Sequence, residues 1–230
     1  MRRRAIVVAL GIAAALLTGC ASPTPTPAVS AAATPARPLT DLETLSDPRA
    51  YEGASTAVLP HAAIDPVDES PTQTLPATVL SHDLQGASEV TVSDTSRVVA
   101  MDLSGSLAAT VWGLGFGGTL VGRDVSTTFP GVEDLPVVTT GGHTVSSEAV
   151  IALRPTLVIT DGSIGPRDVV EQLRDVGIPV VFVANEPSFA GAQQLARDVA
   201  AVFGAQASGE ALAERIGAEH PSLLEKRPVM

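Results

Sequence analysis

Apolar and polar positions along this chain follow the rhythm of strand, helix and strand over most of its second half. Short apolar runs predict strands at residues 97–101, 119–122, 136–138, 156–160 and 179–184. Apolar residues at helical spacing between these runs predict helices at residues 104–114, 146–153, 165–177 and 188–204. Strand–helix–strand units repeated in this way form right-handed crossovers. The pattern therefore predicts an α/β fold: a doubly wound, Rossmann-like parallel sheet flanked by helices.

Two further patterns flank this alternating region. Before it, β-rich runs at residues 77–80 and 89–92 surround a polar turn at Gly86 and predict a hairpin that forms a lid or an edge. After it, a helix begins near Ser208 and runs into Pro221, where we expect it to fray. The folded core is predicted to span residues 75–204.

The N-terminus predicts the cellular compartment. Three arginines at positions 2–4 precede an apolar run at residues 5–17, which is too short to cross a bilayer. The next residues, Leu17-Thr18-Gly19-Cys20, match the bacterial lipobox, in which the cysteine is acylated and becomes the mature N-terminus. The alternative is an ordinary secretory signal in which Cys20 is incidental, but Cys20 is the one cysteine of the chain. We expect a lipoprotein signal peptide at residues 1–19 and a protein anchored by lipid on Cys20 to the extracytoplasmic face of the cell membrane.

Composition divides the rest of the chain into a tether and a domain. Residues 20–74 are rich in Pro, Ala, Ser and Thr, which predicts an extended tether from the membrane. Hydrophobic residues make up 45% of the chain and aromatic residues 3%, so the core must consist mainly of aliphatic side chains. The formal net charge of −11 argues against nucleic acid as a partner and against an electrostatic hold on anionic lipid.

Motifs of the common enzyme classes are missing from the sequence. There is no Gly-x-Ser-x-Gly elbow, no His-Glu-x-x-His, no phosphate loop and no Gly-x-Gly-x-x-Gly after the first strand of the alternating region. The glycine cluster at residues 113–118 lies at the end of a predicted helix, where helix termination explains it better. We therefore expect a protein that is not an enzyme.

Candidate binding residues fall where the predicted strands end, because the ligand crevice of an open parallel sheet lies at that edge. The four residues are Asp102, Asp124, His143 and Asp161. Carboxylates at strand ends are commonly caps and turn formers, and that alternative holds for all three aspartates. His143 follows two glycines and has little local packing, so it is the best candidate for direct chemistry. His61 and His82 stand in polar, proline-flanked surroundings and are expected to be solvated, and Tyr51 is expected to pack against the surface.

The segment SEAVIALRPTLVI at residues 147–159 contains a glutamate, an apolar helix, a Leu-x-Pro motif and a final strand. With this motif, residues 75–219 resemble the amino-terminal lobe of a class III substrate-binding protein of bacterial ABC importers. The resemblance implies a single lobe of a two-lobed periplasmic-binding-protein fold. Haem, siderophores and cobalamin are the ligands of the group.

Four segments are similar to the haemin-binding lipoproteins of Gram-positive haem importers, the HmuT type. They are VAMDLSGSLAATVWGLG, VGRDVSTTFP, LPVVTTGGHTV and TDGSIGPRDVVEQLRDVGIPVV. This resemblance implies that haem is the transported ligand and that His143 is the axial ligand of the haem iron. Two alternatives stay open: the same fold carrying an iron-siderophore or cobalamin, or a docking lipoprotein without ligand binding.

The resemblance also implies partners. Glu148 matches the glutamate with which the amino-terminal lobe engages arginines of the permease, so an ABC permease and its ATPase are the expected partners. A local alternative is that Glu148 stabilises a helix start through the helix dipole, and both roles are compatible.

The chain departs from its relatives in one respect. They carry a second lobe after a long linking helix, and in the haem group that lobe supplies a tyrosine opposite the histidine. Tyr51 lies in the wrong region to replace it. We therefore expect residues 205–230 to be the start of the interlobe helix and a truncated tail. We also expect haem binding to be orders of magnitude weaker than in a two-lobed relative, because one face of the haem stays in water and the second lobe's tyrosine is missing.

Overall fold

The structure is a computed structural model that describes residues 45–53, 63–83, 86–166 and 168–224, without the side chains of Pro48 and residues 219–224. The chain divides into two units, residues 1–60 and residues 61–230. In the described part of the first unit, Pro48–Ala50 forms a 3-10 turn, and Tyr51 is 51% exposed. The second unit contains the α/β fold.

The second unit contains eight strands and five α-helices within its described residues. The strands are β1 (Ala77–Asp83), β2 (Gly86–Val92), β3 (Val98–Met101), β4 (Leu120–Arg123), β5 (Thr139–Thr140), β6 (Thr144–Val145), β7 (Leu157–Thr160) and β8 (Val180–Phe182). The helices are α1 (Ser106–Val111), α2 (Ser147–Ala152), α3 (Asp168–Asp175), α4 (Phe189–Val202) and α5 (Gln206–Leu224). Among the described residues, no helix is both long enough and apolar enough to cross a membrane.

Four parallel strands form the central sheet in the order β4-β3-β7-β8. All residues of β3 and β7 are buried, as expected of strands covered on both faces. Alternate residues of β3 enter two separate cores. Val98 contributes to the core beneath α1, α4 and α5 (the first core), and Val99 to the core beneath α2 and α3 (the second core). The predicted α/β class with a parallel sheet flanked by helices is confirmed.

The predicted hairpin is also present. Strands β1 and β2 pair antiparallel over their full lengths. The buried Ser81 hydroxyl accepts a hydrogen bond of 2.9 Å from the N–H of Phe182 in β8. Asp83 forms a 3.0 Å ion pair with Arg174 of α3. The hairpin therefore covers the β8 edge of the sheet.

The chain just before β1 is held against the α/β unit. Val67 donates its N–H to the Gly113 carbonyl over 2.8 Å, and Thr74 donates to the Gly204 carbonyl over 2.9 Å. Gly204 has a φ of +63°, and a Cβ there would collide with the Thr74 carbonyl. Residues 64–74, predicted as the end of the tether, thus contact the domain through specific hydrogen bonds, which composition does not encode.

Several element boundaries differ from the expectation. The helix expected at residues 104–114 is shorter in its α-helical part, because α1 is followed by a π-helical turn at Trp112–Phe116 and a 3-10 turn at Gly117–Thr119. Gly115 inside the π-helical turn has a φ of +97°, outside the helical region. Helix α5 begins at Gln206 and continues past Pro221 to Leu224. A proline inside a helix removes one backbone donor, and the helix continues beyond that gap.

Candidate functional site

Three loops with the same Asp-x-Ser pattern form the carboxyl edge of the sheet. They are Asp102-Leu103-Ser104 after β3, Asp124-Val125-Ser126 after β4 and Asp161-Gly162-Ser163 after β7. In each loop the aspartate accepts the N–H of the serine two residues later, at 3.2, 2.7 and 2.8 Å. This is the Asx turn that aspartate forms readily within its own backbone.

Asp102 and Asp124 are completely buried and serve the backbone. Asp102 accepts the N–H and hydroxyl of both Ser104 and Ser106 and the N–H of Leu107, which fixes the start of α1. Asp124 accepts the N–H of Asp102 over 3.1 Å, as well as bonds from its own loop. The interpretation of these two aspartates as caps and turn formers is therefore confirmed. Buried in this way, neither carboxylate is accessible to a ligand.

Asp161 is partly buried and joins two strand ends. One of its oxygens accepts the N–H and the hydroxyl of Ser163, and the other accepts the Asn185 amide over 3.0 Å. Asn185 follows β8, and its amide nitrogen also donates to the Ser106 hydroxyl over 3.0 Å. Asp161 therefore ties the ends of β7 and β8 to the start of α1, and both of its oxygens are occupied.

Two apolar side chains stand exposed on this polar edge, and sequence reasoning missed both. Leu103 is 52% exposed, and its backbone is held on both sides: its N–H donates to the Ser163 hydroxyl over 2.8 Å, and its carbonyl accepts the Ser126 hydroxyl over 2.7 Å. Val125 is 42% exposed, and its N–H donates to Thr139 over 3.0 Å. The repeated Asp-x-Ser pattern, with an apolar middle residue in two of three loops, is the signal that could have revealed them.

His143 lies at the tip of a tight hairpin at the same edge. Thr139 pairs with Val145 and Thr140 with Thr144, which leaves residues 141–143 as the turn. Both glycines of the turn have positive φ, +56° and +96°, which residues with a side chain rarely adopt. The His143 side chain is exposed.

The hairpin is attached to the sheet edge on two sides. The Val145 N–H donates to the Gly165 carbonyl over 2.7 Å, and Ser146 donates to the Val138 carbonyl over 2.9 Å. Because Thr139 also accepts the Val125 N–H, His143 belongs to the same hydrogen-bonded edge as the exposed apolar side chains. Of the four predicted edge residues, His143 is the exposed one, and the structure shows its three aspartate neighbours engaged in the loops. Among the described residues, no group of three or more His, Cys, Asp or Glu could hold a bare metal ion.

Glu148 occupies the first turn of α2 and is exposed. Ser146 caps this helix by accepting the Ala149 N–H over 3.2 Å, and the Ser146 and Ser147 hydroxyls donate to the Glu148 carboxylate. A hydrogen bond from its own N–H, followed by the one from Ser146, lowers the pKa of Glu148 below its usual 4.5. Its position therefore presents a stable negative charge on the surface, as the local helix-start role requires.

Of the remaining residues singled out in the sequence, the structure describes the side chain of His82. His82 is exposed on β1, in agreement with the expectation of a solvated residue. Cys20 and His61, as well as the side chain of His220, lie outside the described residues.

Comparison with known proteins identifies the class to which this fold and edge belong. Residues 99–225 match the profile of a family described as periplasmic binding protein. The chain therefore belongs to the periplasmic binding protein family, and the resemblance recognised in its sequence is confirmed.

Several solved structures of heme-binding proteins are similar to this chain. The chain is 40% identical to the heme binding protein HmuT, with a TM-score of 0.66, over 71% of this chain and 53% of that one. A HmuT variant with a histidine replaced by alanine is 38% identical, with a TM-score of 0.72, over 79% and 58%. The periplasmic heme-binding protein RhuT from Roseiflexus sp. RS-1 in its apo form is 35% identical, with a TM-score of 0.51, over 56% and 49%. The chain thus spans about half the length of these proteins. No curated protein sequence matches it.

Proposed function

We propose that this chain is a lipid-anchored, extracytoplasmic haem-binding component of an ABC importer and is not an enzyme. Residues 75–204 are its amino-terminal ligand-binding lobe, and residues from 205 onward begin the helix that links the two lobes in two-lobed relatives. The observation that carries the proposal is the similarity to HmuT at 40% identity, combined with an exposed histidine at the ligand edge of the sheet.

His143 is proposed as the axial ligand of the haem iron. A neutral imidazole nitrogen is a common protein ligand of haem iron, and His143 is exposed in the turn at residues 141–143. Its hairpin is held by backbone hydrogen bonds to the edge, so the imidazole is offered from a supported position. A histidine variant of the similar protein HmuT has been crystallised, which agrees with a role for a histidine in that protein.

Leu103 and Val125 supply the apolar surface that a porphyrin requires. Both side chains are about half exposed without a ligand, on backbones fixed by hydrogen bonds. Covering them with a flat apolar ligand removes apolar area from water, worth roughly 25 cal/mol for each Å². A hydrophilic siderophore gains little from such side chains, so the edge favours haem over that alternative.

Two further residues are proposed to serve delivery and anchoring. Glu148, exposed on α2 and charged at neutral pH, is proposed to contact arginines of the permease, which works together with its ATPase. Cys20 is proposed to carry the lipid that holds the protein at the extracytoplasmic face of the cell membrane. Acylation with two or more chains supports stable anchoring, whereas one chain does not.

The test is a titration of the purified protein with haemin, cobalamin and a ferric siderophore in parallel. We expect saturable binding of haemin with a shifted Soret band, and no saturation with the other two ligands. Saturable binding of cobalamin or the siderophore without haemin binding would assign the same fold to a different cargo. Absence of binding for all three would support the docking lipoprotein.

A further inference from the structure

A groove of about 550 Å³ opens on the face of the sheet opposite the second core. Helices α1, α4 and α5 bound it together with Ile64 from the segment before β1. Its walls are largely aliphatic and include Ala109, Leu195 and Leu212. Its volume falls within the range of about 300–1,000 Å³ that is typical of small-molecule sites.

One cation stands in this groove with most of its donors available. Arg215 of α5 is partly buried and lines the groove, and its Nη1 donates to the Asp65 carbonyl over 2.7 Å. A guanidinium has five N–H donors, and among the described residues Arg215 has no carboxylate partner. Glu186 also borders the groove, from the loop after β8, where its carboxylate accepts the Ser188 hydroxyl. A guanidinium without a carboxylate partner, next to an aliphatic wall, is complementary to an apolar molecule with an anionic head.

We propose that this groove binds an apolar molecule that carries a single carboxylate, with its chain against Leu195 and Leu212 and its carboxylate on Arg215. A neutral apolar molecule would leave the guanidinium without a partner and partly desolvated, which costs free energy. A cationic head would be repelled by Arg215. A doubly charged head would meet Glu186 and the net charge of −11 with one cation to balance it, so a monoanion fits best.

This groove opens beside the carboxyl edge of the sheet and is separate from the hairpin that presents His143. None of the residues lining it comes from the hairpin of β5 and β6. That hairpin packs through Val145 into the second core, whereas Leu195 and Leu212 belong to the first. The groove's rim includes Ser104, Ser106 and Asn185, which also belong to the strand-end network. The two regions therefore share supporting residues, but His143, Leu103 and Val125 do not line the groove.

The test compares two probes that share a tail: dodecanoate and dodecanol, both titrated below their aggregation limits by calorimetry. We expect wild-type protein to bind dodecanoate about tenfold more tightly than dodecanol, the factor expected of one charge-assisted hydrogen bond. Arg215→Gln should remove that preference, and Arg215→Lys should retain part of it. Arg197→Gln is the matched control, because Arg197 is a partly exposed arginine on α4 that pairs with Glu210 and does not line the groove. Thermal unfolding should show that the variants remain folded.

A second variant tests the groove independently of charge. Ala109→Leu adds a larger side chain to the wall formed by α1, where the alanine is partly exposed, and should block both probes. Equal affinity of wild-type protein for the two probes, or no saturable binding of either, would overturn the proposal. His143→Ala should leave dodecanoate binding unchanged, and Arg215→Gln should leave haemin binding unchanged. If Arg215→Gln weakened haemin binding as strongly as dodecanoate binding, the groove would be part of the haem site and the proposal would be wrong.

Discussion

Asp102 offers the sharpest test of how the carboxyl edge is built. Its buried carboxylate accepts five hydrogen bonds: from the N–H and hydroxyl of Ser104, the N–H and hydroxyl of Ser106, and the N–H of Leu107. In Asp102→Ala the exposed Ser104 can turn to water, but the buried Leu107 N–H loses its acceptor. A bond to a charged acceptor contributes about 1.5–3 kcal/mol, and a buried donor left unpaired costs about 1–3 kcal/mol. Since these contributions overlap, we expect a loss of about 3–5 kcal/mol in the free energy of unfolding.

Asp102→Asn refines this prediction. One carboxylate oxygen takes all four bonds from the two serines, and the other takes the Leu107 N–H alone at 3.1 Å. An asparagine can keep its oxygen toward the serines and lose the single bond to Leu107. The expected loss is about 1–3 kcal/mol, clearly smaller than that of the alanine variant.

Urea unfolding followed by fluorescence is a suitable assay, because Trp112 is the single tryptophan and lies directly after α1. The midpoint should fall while the urea dependence stays constant, as for a change in stability alone. Asp94→Ala is the matched control, since Asp94 forms the same turn with the Ser96 N–H at 2.8 Å but is exposed. It should stay within about 0.5 kcal/mol of wild type. Equal effects of Asp94→Ala and Asp102→Ala would refute the role given to the buried carboxylate.

Three further predictions concern charge, ligand contact and anchoring. The carboxylate of Glu148 should titrate below pH 4.5 by NMR, because its hydrogen bonds lower its pKa in the folded protein. The stabilisation that Glu148 contributes is therefore present above its unfolded pKa and is lost as the pH falls through its folded pKa. A titration midpoint above 4.5 would contradict this. Leu103→Ser and Val125→Ser should each weaken haemin binding several-fold while leaving the unfolding midpoint nearly unchanged, because both side chains are already exposed; unchanged haemin affinity would remove them from the site. Mass spectrometry of the membrane fraction should find an acylated N-terminal Cys20, and a soluble product with an unmodified cysteine would contradict the anchor.

Much of the fold could be predicted from the sequence because it depends on local periodicity. The strand expected at residues 156–160 is β7, Leu157–Thr160, and all four of its residues are buried because helices cover both faces of the sheet. The helix expected after Ser188 is α4, with Ser188 as its cap. The path of residues 64–74 could not be predicted in this way, because it depends on hydrogen bonds to Gly113 and Gly204, which are distant in sequence.

In the candidate site, too, local features could be predicted from the sequence, whereas features that depend on distant contacts could not. The loop of His143 was predictable, since two adjacent glycines before a histidine indicate a sharp turn by themselves. The structural roles of Asp102 and Asp124 were foreseen as the more common use of strand-end carboxylates. The exposure of Leu103 was not foreseen, because it results from bonds that Ser126 and Ser163 make across two other loops.

Whether His143 is the axial ligand of the haem iron can be decided by a spectroscopic titration of histidine variants. Haemin is titrated into wild-type protein and into single alanine variants of the four histidines, and the Soret band is followed. We expect His143→Ala to lose the ligated-haem spectrum, and His61→Ala, His82→Ala and His220→Ala to keep it. If all four variants behave alike, or if His143→Ala keeps the wild-type spectrum, the assignment of the ligand is wrong.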